Sequence, residues 1–497
     1  MESGPSSQSR PTSEASTASL VRLESRLPPS LEPGRGQAVF VAGHWDPALG
    51  DPTALRLLVD GRTHPPDAWR MPRPDLGHGA RCGFWATVPV HPQPGPAVSI
   101  VLELDLPDGR KNFPLGEIEV EAPPAPAEAT VGAGAESDRV AIAMATHEPD
   151  PELFRVQVES IVAQTHSDWV CFIGDDDSSP ESFAMIEATV GQDPRFVVER
   201  GGERLGFYRN FERVLQMVPP EFELIAMSDQ DDRWREDKLE RLLGAIGDSV
   251  LVHSDARITD GDGRRVGPDL WSGRRVGDED LTALLFANTV AGAASLFRRS
   301  LLTTVLPFPE GPGLLFHDHW IALAAQATGS LAYVDEPLYD YVQHTRAVTG
   351  NPDPEGPRHK FTPAGALDAL DGWRSAYFRA YVQLKVQAMT LLARSPEKIT
   401  PDHRRVLERA LAADRSAREP WLAARLLRSL PGGERTLGAE SLSLRGLLWK
   451  RAVSLGRIVP PRLWPKRIGT GLEPIQLDLT STRKARRWRA LRRGISE

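Results

Sequence analysis

Phe222-Glu223-Leu224-Ile225-Ala226-Met227 runs directly into Ser228-Asp229-Gln230-Asp231-Asp232-Arg233-Trp234. An apolar, strand-like segment thus ends in three carboxylates within four residues. Carboxylates this close repel one another and are costly to bury. A divalent cation or a set of hydroxyl donors resolves the conflict, and hard cations such as Mg²⁺ or Mn²⁺ favour an all-oxygen ligand set. The carboxyl ends of strands are also where open α/β sheets bind ligands. A solvated turn is the plainer alternative, and the apolar run in front of the cluster weighs against it.

Upstream, strands and helices alternate. Val140 to Ala145 reads as a buried strand, and Pro151 to Thr165 as a helix with Leu153, Phe154, Gln157, Val158, Ile161 and Val162 along one stripe. Trp169 to Ile173 is a second strand and Phe196 to Val198 a third; Phe207 to Met217 is helical, and Phe222 to Met227 is the fourth strand. Such alternation predicts a mostly parallel sheet with helices on both faces. The second strand ends at Asp175-Asp176-Asp177-Ser178, so two acidic loops share one sheet edge.

Other strand ends carry chemistry too. In Thr146-His147-Glu148-Pro149 a Thr and a Glu suit a nucleobase or ribose, although an N-cap with a first-turn acid is the plainer reading. Ser178 suits an N-cap before Pro180 and Glu181, yet three adjacent aspartates exceed what a cap needs. Gly201 to Asn210 combines glycines, which permit close approach, with Arg204 and Arg209, which suit phosphate. It lacks the Gly-Lys-Ser/Thr of a Walker loop. In Phe316-His317-Asp318-His319-Trp320 the two histidines stand too close in sequence to share a helical face, which argues against zinc. Asp318 is either a helix cap or a general base. His344, after a strand at Leu331 to Val334, suits a metal or a diphosphate.

The flanks differ in composition. Residues 1–35 are rich in Ser, Pro and Glu and are expected to be disordered. Residues 36–121 show short strand-like runs at Ala38–Val41, Phe84–Val88 and Val98–Leu102, which predict a small β-sandwich-like module. Residues 122–137 form a Pro/Ala linker, 138–352 the α/β unit, and 353–440 a helical region clearest from Pro363 to Leu430. Residues 441–497 form a basic tail with 14 Lys and Arg against three Asp and Glu, in a chain whose net charge is −8. Its arginines, with Trp449, Trp464 and Trp488 among them, suit an anionic membrane surface; a solvated tail is the alternative, and no nucleic-acid module is recognisable. Two cysteines exclude a disulfide framework and a cysteine-rich zinc site. The N-terminus lacks a signal-peptide core and no run of ~18 apolar residues occurs. The nearest approach, Leu281 to Phe297, is broken by Asn288 and Thr289. These features predict a cytoplasmic protein, peripheral at the inner face of the plasma membrane if the tail binds there.

Taken in order, Thr146-His147-Glu148, Ser160 to Thr165, Trp169, Asp175 to Ser178, Gly206 to Asn210, Ser228 to Trp234, His317 to Trp320 and Gln343-His344 resemble the family-2 glycosyltransferases, above all bacterial rhamnosyltransferase-like members. The resemblance covers residues 138–352. It implies a GT-A fold, Rossmann-like with a mostly parallel sheet, and an inverting, metal-dependent hexosyltransferase. The partners it implies are a nucleotide-sugar donor and a glycan or lipid-linked acceptor of cell-surface polysaccharide synthesis. By that resemblance Thr146, Glu148 and Asp176 line the nucleoside pocket, Arg204 or Arg209 contacts the nucleotide and Asp229 approaches the ribose. Asp231, with His344, meets the Mg²⁺ or Mn²⁺ on the donor diphosphate, and Asp318 is the catalytic base. The Gln-x-x-Arg-Trp signature of processive members is absent, since Gln343 is followed by His344-Thr345-Arg346-Ala347. Two alternatives remain. One is a sugar-nucleotide nucleotidyltransferase, which would carry a Gly-rich basic loop after the first strand. The other is a non-catalytic glycan-binding scaffold with a decayed site.

Overall fold

The computed structural model describes residues 20–77, 79–121, 138–271, 280–312, 316–344, 374, 376–413 and 439–454. In the first of the chain's sheet regions the strands are β1 (Val21–Leu23), β2 (Ser30–Leu31), β3 (Gln37–Trp45), β4 (Ala54–Val59), β5 (Arg62–His64), β6 (Ala68–Met71), β7 (Gly83–Val90), β8 (Ala97–Leu106) and β9 (Gly109–Val120). They form two facing sheets, ordered β1-β3-β7-β6 and β2-β9-β8-β4-β5. In β4 burial alternates, with Leu55, Leu57 and Val59 inward, as befits a sheet with one wet face. Burial in β3 and β7 is nearly continuous. Val39, Val41, Phe84 and Ala86 fill the sandwich interior, while Ala38, Phe40, Ala42 and Trp85 pack outward under helices. That double covering is why the sequence there runs Ala-Val-Phe-Val-Ala without polar alternation. The expected disorder of residues 1–35 does not extend to 20–35: β1 pairs with β3, β2 pairs with β9, and Val21 and Leu31 join the sandwich core. Residues 1–19 and the expected linker lie outside the described residues.

The eight-stranded sheet contains β10 (Val140–Thr146), β11 (Trp169–Asp175), β12 (Phe196–Arg200), β13 (Leu224–Ser228), β14 (Arg233–Trp234), β15 (Leu251–Thr259), β16 (Ser295–Arg298) and β17 (Leu331–Val342), ordered β12-β11-β10-β13-β16-β15-β17-β14. The first four strands in that order are mutually parallel, and the rest is mixed through the antiparallel β16 and β14. Its helices are α1 (Pro151–Val162), α2 (Pro180–Val190), α3 (Phe207–Met217), α4 (Lys238–Ile246), α5 (Leu281–Phe286), α6 (Leu302–Val305) and α7 (His317–Thr328). Two apolar layers cover the two faces: α3 and α7 pack on one, and α1 and α4 on the other. Thr146 is in register with Asp175, and Met144 with Ser228, so both acidic loops open at one edge as expected. α1 starts where Asp150 accepts from the Glu152 N–H at 3.1 Å and Pro151 needs no donor. It stops three residues earlier than predicted because Gln164 turns back, bonding Ser160 O, Arg235 O and the Leu239 N–H.

After a short π-helical stretch at Tyr377–Val382 come α8 (Gln383–Arg394), α9 (Pro401–Ala412) and α10 (Ala439–Ser454). Thr400 caps α9 within the expected helical region; residues 345–373 and 414–438 are outside the described set. Tyr377, Phe378, Trp449 and Trp85 form one aromatic cluster between the sandwich and these helices. Trp449 is therefore 1% exposed and unavailable to a membrane, contrary to its expected place in a surface-binding tail. Residues 455–497, with Trp464 and Trp488, are not described. Among the described residues no helix is long and apolar enough to cross a membrane.

Two buried cations bolt the helices to the rest. Lys385 pairs with Asp67, which also accepts from the Thr87 N–H at 2.8 Å. Arg394 donates to Gly36 O, Thr304 O, Val305 O, Pro307 O and Gln37 Oε1, joining α8, the sandwich and the segment after α6. Among the described residues no carboxylate pairs with it directly, and burial lowers its pKa to about 10. At Gly36 a Cβ would lie 2.4 Å from Ala393 O, so the close approach requires glycine. Arg394→Met strands several buried carbonyls without a donor, each costing ~1–3 kcal/mol. We expect it to lower unfolding stability by about 3 kcal/mol or more, read by urea denaturation, with Arg394→Lys restoring only part because an ammonium lacks the five-donor fork.

Candidate functional site

The site is built on the ends of β10, β11 and β13. Thr146 Oγ1 donates to Asp175 Oδ1 at 3.2 Å, and Asp175 also accepts from the Ser178 N–H and Oγ. Asp175 thus shapes the turn, and the next residue, Asp176, points its two oxygens at the Leu205 and Gly206 N–H groups at 2.7 and 2.8 Å. Glu148, held at φ 43°, accepts from the Ser179 N–H and the Ser182 Oγ, both at 2.6 Å. These bonds, the one from Ser182 foremost, keep its carboxyl below the usual range. Of the three residues expected at a nucleoside pocket, Thr146 and Asp176 are buried in the crevice wall, and Glu148 is exposed while capping α2.

The arginines separate. Arg204 is exposed on the loop before α3. Arg209 is paired with Glu212 and with Glu310 (2.6 Å) and donates to Phe308 O at 3.0 Å. Both neighbouring carboxylates pair with it and, with the Phe308 carbonyl, tie α3 to the segment after α6. Arg213 takes the strand-end position instead, donating to Asp175 O at 2.6 Å and Asn210 Oδ1 at 2.7 Å. A Cβ at Gly201 would lie 2.4 Å from its guanidinium, which accounts for that glycine.

Within the acidic cluster Gln230 faces one neighbour while Asp231 and Asp232 face the end of β17. Gln230 turns to the first strand end, accepting from the His147 N–H at 2.8 Å and donating to His147 O at 3.2 Å. Asp231 Oδ2 lies 2.7 Å from His344 Nε2, so β17 delivers the expected histidine to the expected aspartate. Asp232 is 1% exposed; Oδ1 meets the Val342 N–H at 3.4 Å and Oδ2 is buried without a partner. Burial pushes Asp229 up to about 7, reinforced by the charges of Asp231 and Asp318. Asp232 is raised well above its ordinary value by burial and then by Asp229 and Asp231. The cluster of β13 and the aspartate of α7 therefore occupy one field, although far apart in sequence.

Asp318 lies in the first turn of α7 and accepts from the His319 N–H at 2.6 Å. Gly292 N–H and the Asn288 side chain also bond its carboxylate, yet burial outweighs them and raises its pKa to about 6. The flanking histidines diverge. His317 is buried, stacked 3.7 Å from Phe211 and kept neutral by burial, while His319 reaches Leu284 O at 2.6 Å. Among the described residues no group of three or more His, Cys, Asp or Glu is arranged to hold a metal by itself. The chain contributes Asp231 and His344 as the adjacent pair.

Four contributors were not anticipated from sequence as part of the site. Gln230 locks two strand ends together. Asn288 and Gly292 hold Asp318, and a Cβ at Gly292 would lie 2.7 Å from His317 Nε2. Their signal is the polar break in the apolar run from Leu281 to Phe297. Lys238 is fully buried beside Trp234.

Residues 142–306 match the family described as Glycosyl transferase family 2. No curated protein matches the chain in sequence. Among solved structures the chain is similar to TarS 1–349 of S. aureus in complex with UDP-GlcNAc, at 13% identity and a TM-score of 0.37, covering 64% of this chain and 92% of that one. It is also similar to the mannosyltransferase PcManGT of Pyrobaculum calidifontis in complex with GDP-Man and Mn²⁺, at 17% identity and a TM-score of 0.35, covering 64% and 86%. The family match takes in the strand-end loops through Asp232 and ends before Asp318 and His344. With its α/β GT-A fold and helical C-terminal region, the chain carries a glycosyl transferase family 2 domain over residues 142–306, and the protein is a glycosyltransferase.

Proposed function

We propose that the protein transfers a sugar from a nucleotide-diphosphate donor to a hydroxyl of a glycan or lipid-linked acceptor, with inversion at the anomeric carbon and a divalent cation on the diphosphate. The observation that carries this reading is the shared field of Asp229, Asp231 and Asp318, which brings a donor-side carboxylate pair and a separate, proton-accepting carboxylate to one crevice. Thr146, Asp176 and the Asp176-bound loop form the nucleoside wall, Asp229 faces the ribose, and Arg204 remains the arginine available to phosphate. Asp231 and His344 would hold the cation. The unpartnered oxygen of Asp232 and the mutual repulsion of the cluster fit a positive guest, and carboxylate with imidazole suits Mg²⁺ or Mn²⁺. When bound, the cation supplies Lewis-acid neutralisation of the leaving diphosphate.

Asp318 takes the acceptor proton as the acceptor oxygen bonds the anomeric carbon and the bond to the diphosphate oxygen breaks. One in-line displacement of this kind inverts the centre. The backbone and Asn288 donors that surround Asp318 orient the carboxylate without protonating it. The setting in cell-surface polysaccharide synthesis at the cytoplasmic side of a membrane rests on the family resemblance alone.

Asp318 must be ionised to act, and Asp229 titrates in the same field. Turnover should therefore fall as pH drops through about 7 to about 6, as one coupled limb. Asp318→Asn should lose ~10²- to 10⁴-fold in kcat. Its folding should not weaken at pH 8: a carboxyl raised from 3.8 to about 6 stabilises the fold below 3.8 and loses that contribution as pH rises through 6. Retained turnover in this variant would remove the base assignment.

Ligand binding offers a test independent of turnover. Thermal-shift titration with UDP, GDP and dTDP, each with and without Mn²⁺, should give its largest shift only when nucleotide and cation are both present. Asp231→Asn and His344→Ala should each abolish the cation-dependent part and spare the nucleotide part. Equal shifts with and without Mn²⁺ would rule out the metal role.

A further inference from the structure

Gln157 and Ser160 interrupt the otherwise apolar buried face of α1, and nothing in the reaction described above uses them. Gln157 is 0% exposed, so its amide has left water at a cost that only bonded neighbours offset. Those neighbours all belong to the acidic loop. With the amide oriented so that each atom meets a complementary partner, its nitrogen donates to Asp232 O at 2.6 Å. Its oxygen accepts from the Trp234 indole N–H at 3.2 Å and from the Ser228 hydroxyl at 2.8 Å. Ser160, one turn further along the same face, accepts from the Trp234 backbone N–H at 3.0 Å and donates to Gln157 O at 2.8 Å. Ser228 closes β13 and Trp234 lies in β14, so α1 grips the loop where it leaves one strand and where it enters the next. Asp229 and Asp231 lie between the two grips.

A methionine would fill this place on α1 without burying a polar group. We propose that Gln157 is a positioning residue for the cation site: by tying Ser228, Asp232 and Trp234 to one helix, it holds Asp229 and Asp231 at a fixed spacing against their mutual repulsion. A cation then meets a loop already shaped, and none of its binding free energy goes into ordering that loop. The inference rests on the reading of Asp231 and His344 as metal ligands. Support behind metal ligands is worth roughly 10- to 100-fold in affinity. Gln164 supplies the comparison. It is 5% exposed, a second buried amide of the same segment, and it bonds Arg235 O at 2.6 Å and the Leu239 N–H at 3.0 Å, beyond the far grip. Its loss removes similar bonds and leaves both grips in place.

The test is Mn²⁺ titration of the full chain, followed by electron paramagnetic resonance in the presence of UDP or GDP, with each variant held well below its own unfolding temperature. Gln157→Met should bind Mn²⁺ roughly tenfold more weakly or worse. Gln164→Met should lose a similar amount of thermal stability and stay within about twofold of the wild-type Mn²⁺ affinity. Wild-type affinity in Gln157→Met overturns the proposal. Equal weakening in Gln157→Met and Gln164→Met overturns it too, because the effect is then one of stability alone. If Gln157→Met does not fold, Ser228→Ala decides, since it removes a single hydroxyl from the same clamp. An affinity lowered about threefold or more in Ser228→Ala supports the proposal, and an unchanged one overturns it. Asp231→Asn separates the two levels of the argument. Where it abolishes Mn²⁺ binding, the metal reading stands and the other variants judge Gln157 alone. Mn²⁺ binding that survives Asp231→Asn removes the metal reading, and this inference with it.

Discussion

Like-charge crowding at the end of one strand governs this site. Asp229, Asp231 and Asp232 stand within four residues, and Asp318 adds a fourth charge from another element. In water such a group would spread apart; on a rigid sheet edge it cannot. Gln230 clamps the loop to His147, Val342 donates to Asp232 and His344 meets Asp231. Burial raises the pKa values of Asp229, Asp232 and Asp318, and for Asp229 and Asp232 the neighbouring carboxylates add to it. Under the proposed reaction, a cation and polar hydroxyls would relieve this crowding.

The scaffold behind the base is larger than the GT-A sheet. Trp320, two residues beyond Asp318, donates its indole N–H to Val305 O at 2.9 Å. The same carbonyl accepts from Arg394, which also reaches Gly36 and Gln37 of the sandwich. Arg35 adds bonds to Thr303 O and Leu306 O. The β-sandwich and α8 therefore brace the helix that carries Asp318. Continuous burial of β3 and β7, with a wet face only on the other sheet, belongs to a sandwich integrated into one body by its helices.

Much of this was legible in the residues. Helix α3 ends where its periodicity ends, and the strands at 140, 169 and 224 fall within two residues of their predicted starts, because buried apolar runs bounded by polar loops leave few other folds. Asp231 stood out as one of three carboxylates within four residues at a strand end, and Asp318 through the family resemblance, since by itself it suited a helix cap equally well. What composition could not show was partnership across long separations. The pairing of Arg209 with Glu310, the bonds from Glu148 to the start of α2 and the stacking of Trp449 on Trp85 all join residues far apart in sequence. Strands β1 and β2 escaped notice because two or three buried residues in a Ser- and Pro-rich context carry no period.

The same reasoning separates the two tasks of the carboxylates. In the proposed reaction a metal ligand stays ionised while a base alternates, and the surroundings of Asp231 and Asp318 differ. Asp231 has a histidine partner at 2.7 Å and a side chain 23% exposed. Asp318 is enclosed among α7, α5 and the Gly292 turn, with neutral donors only, which leaves its proton affinity near neutrality. Asp229, between them, feels both charges, and these reinforce burial in raising its pKa to about 7.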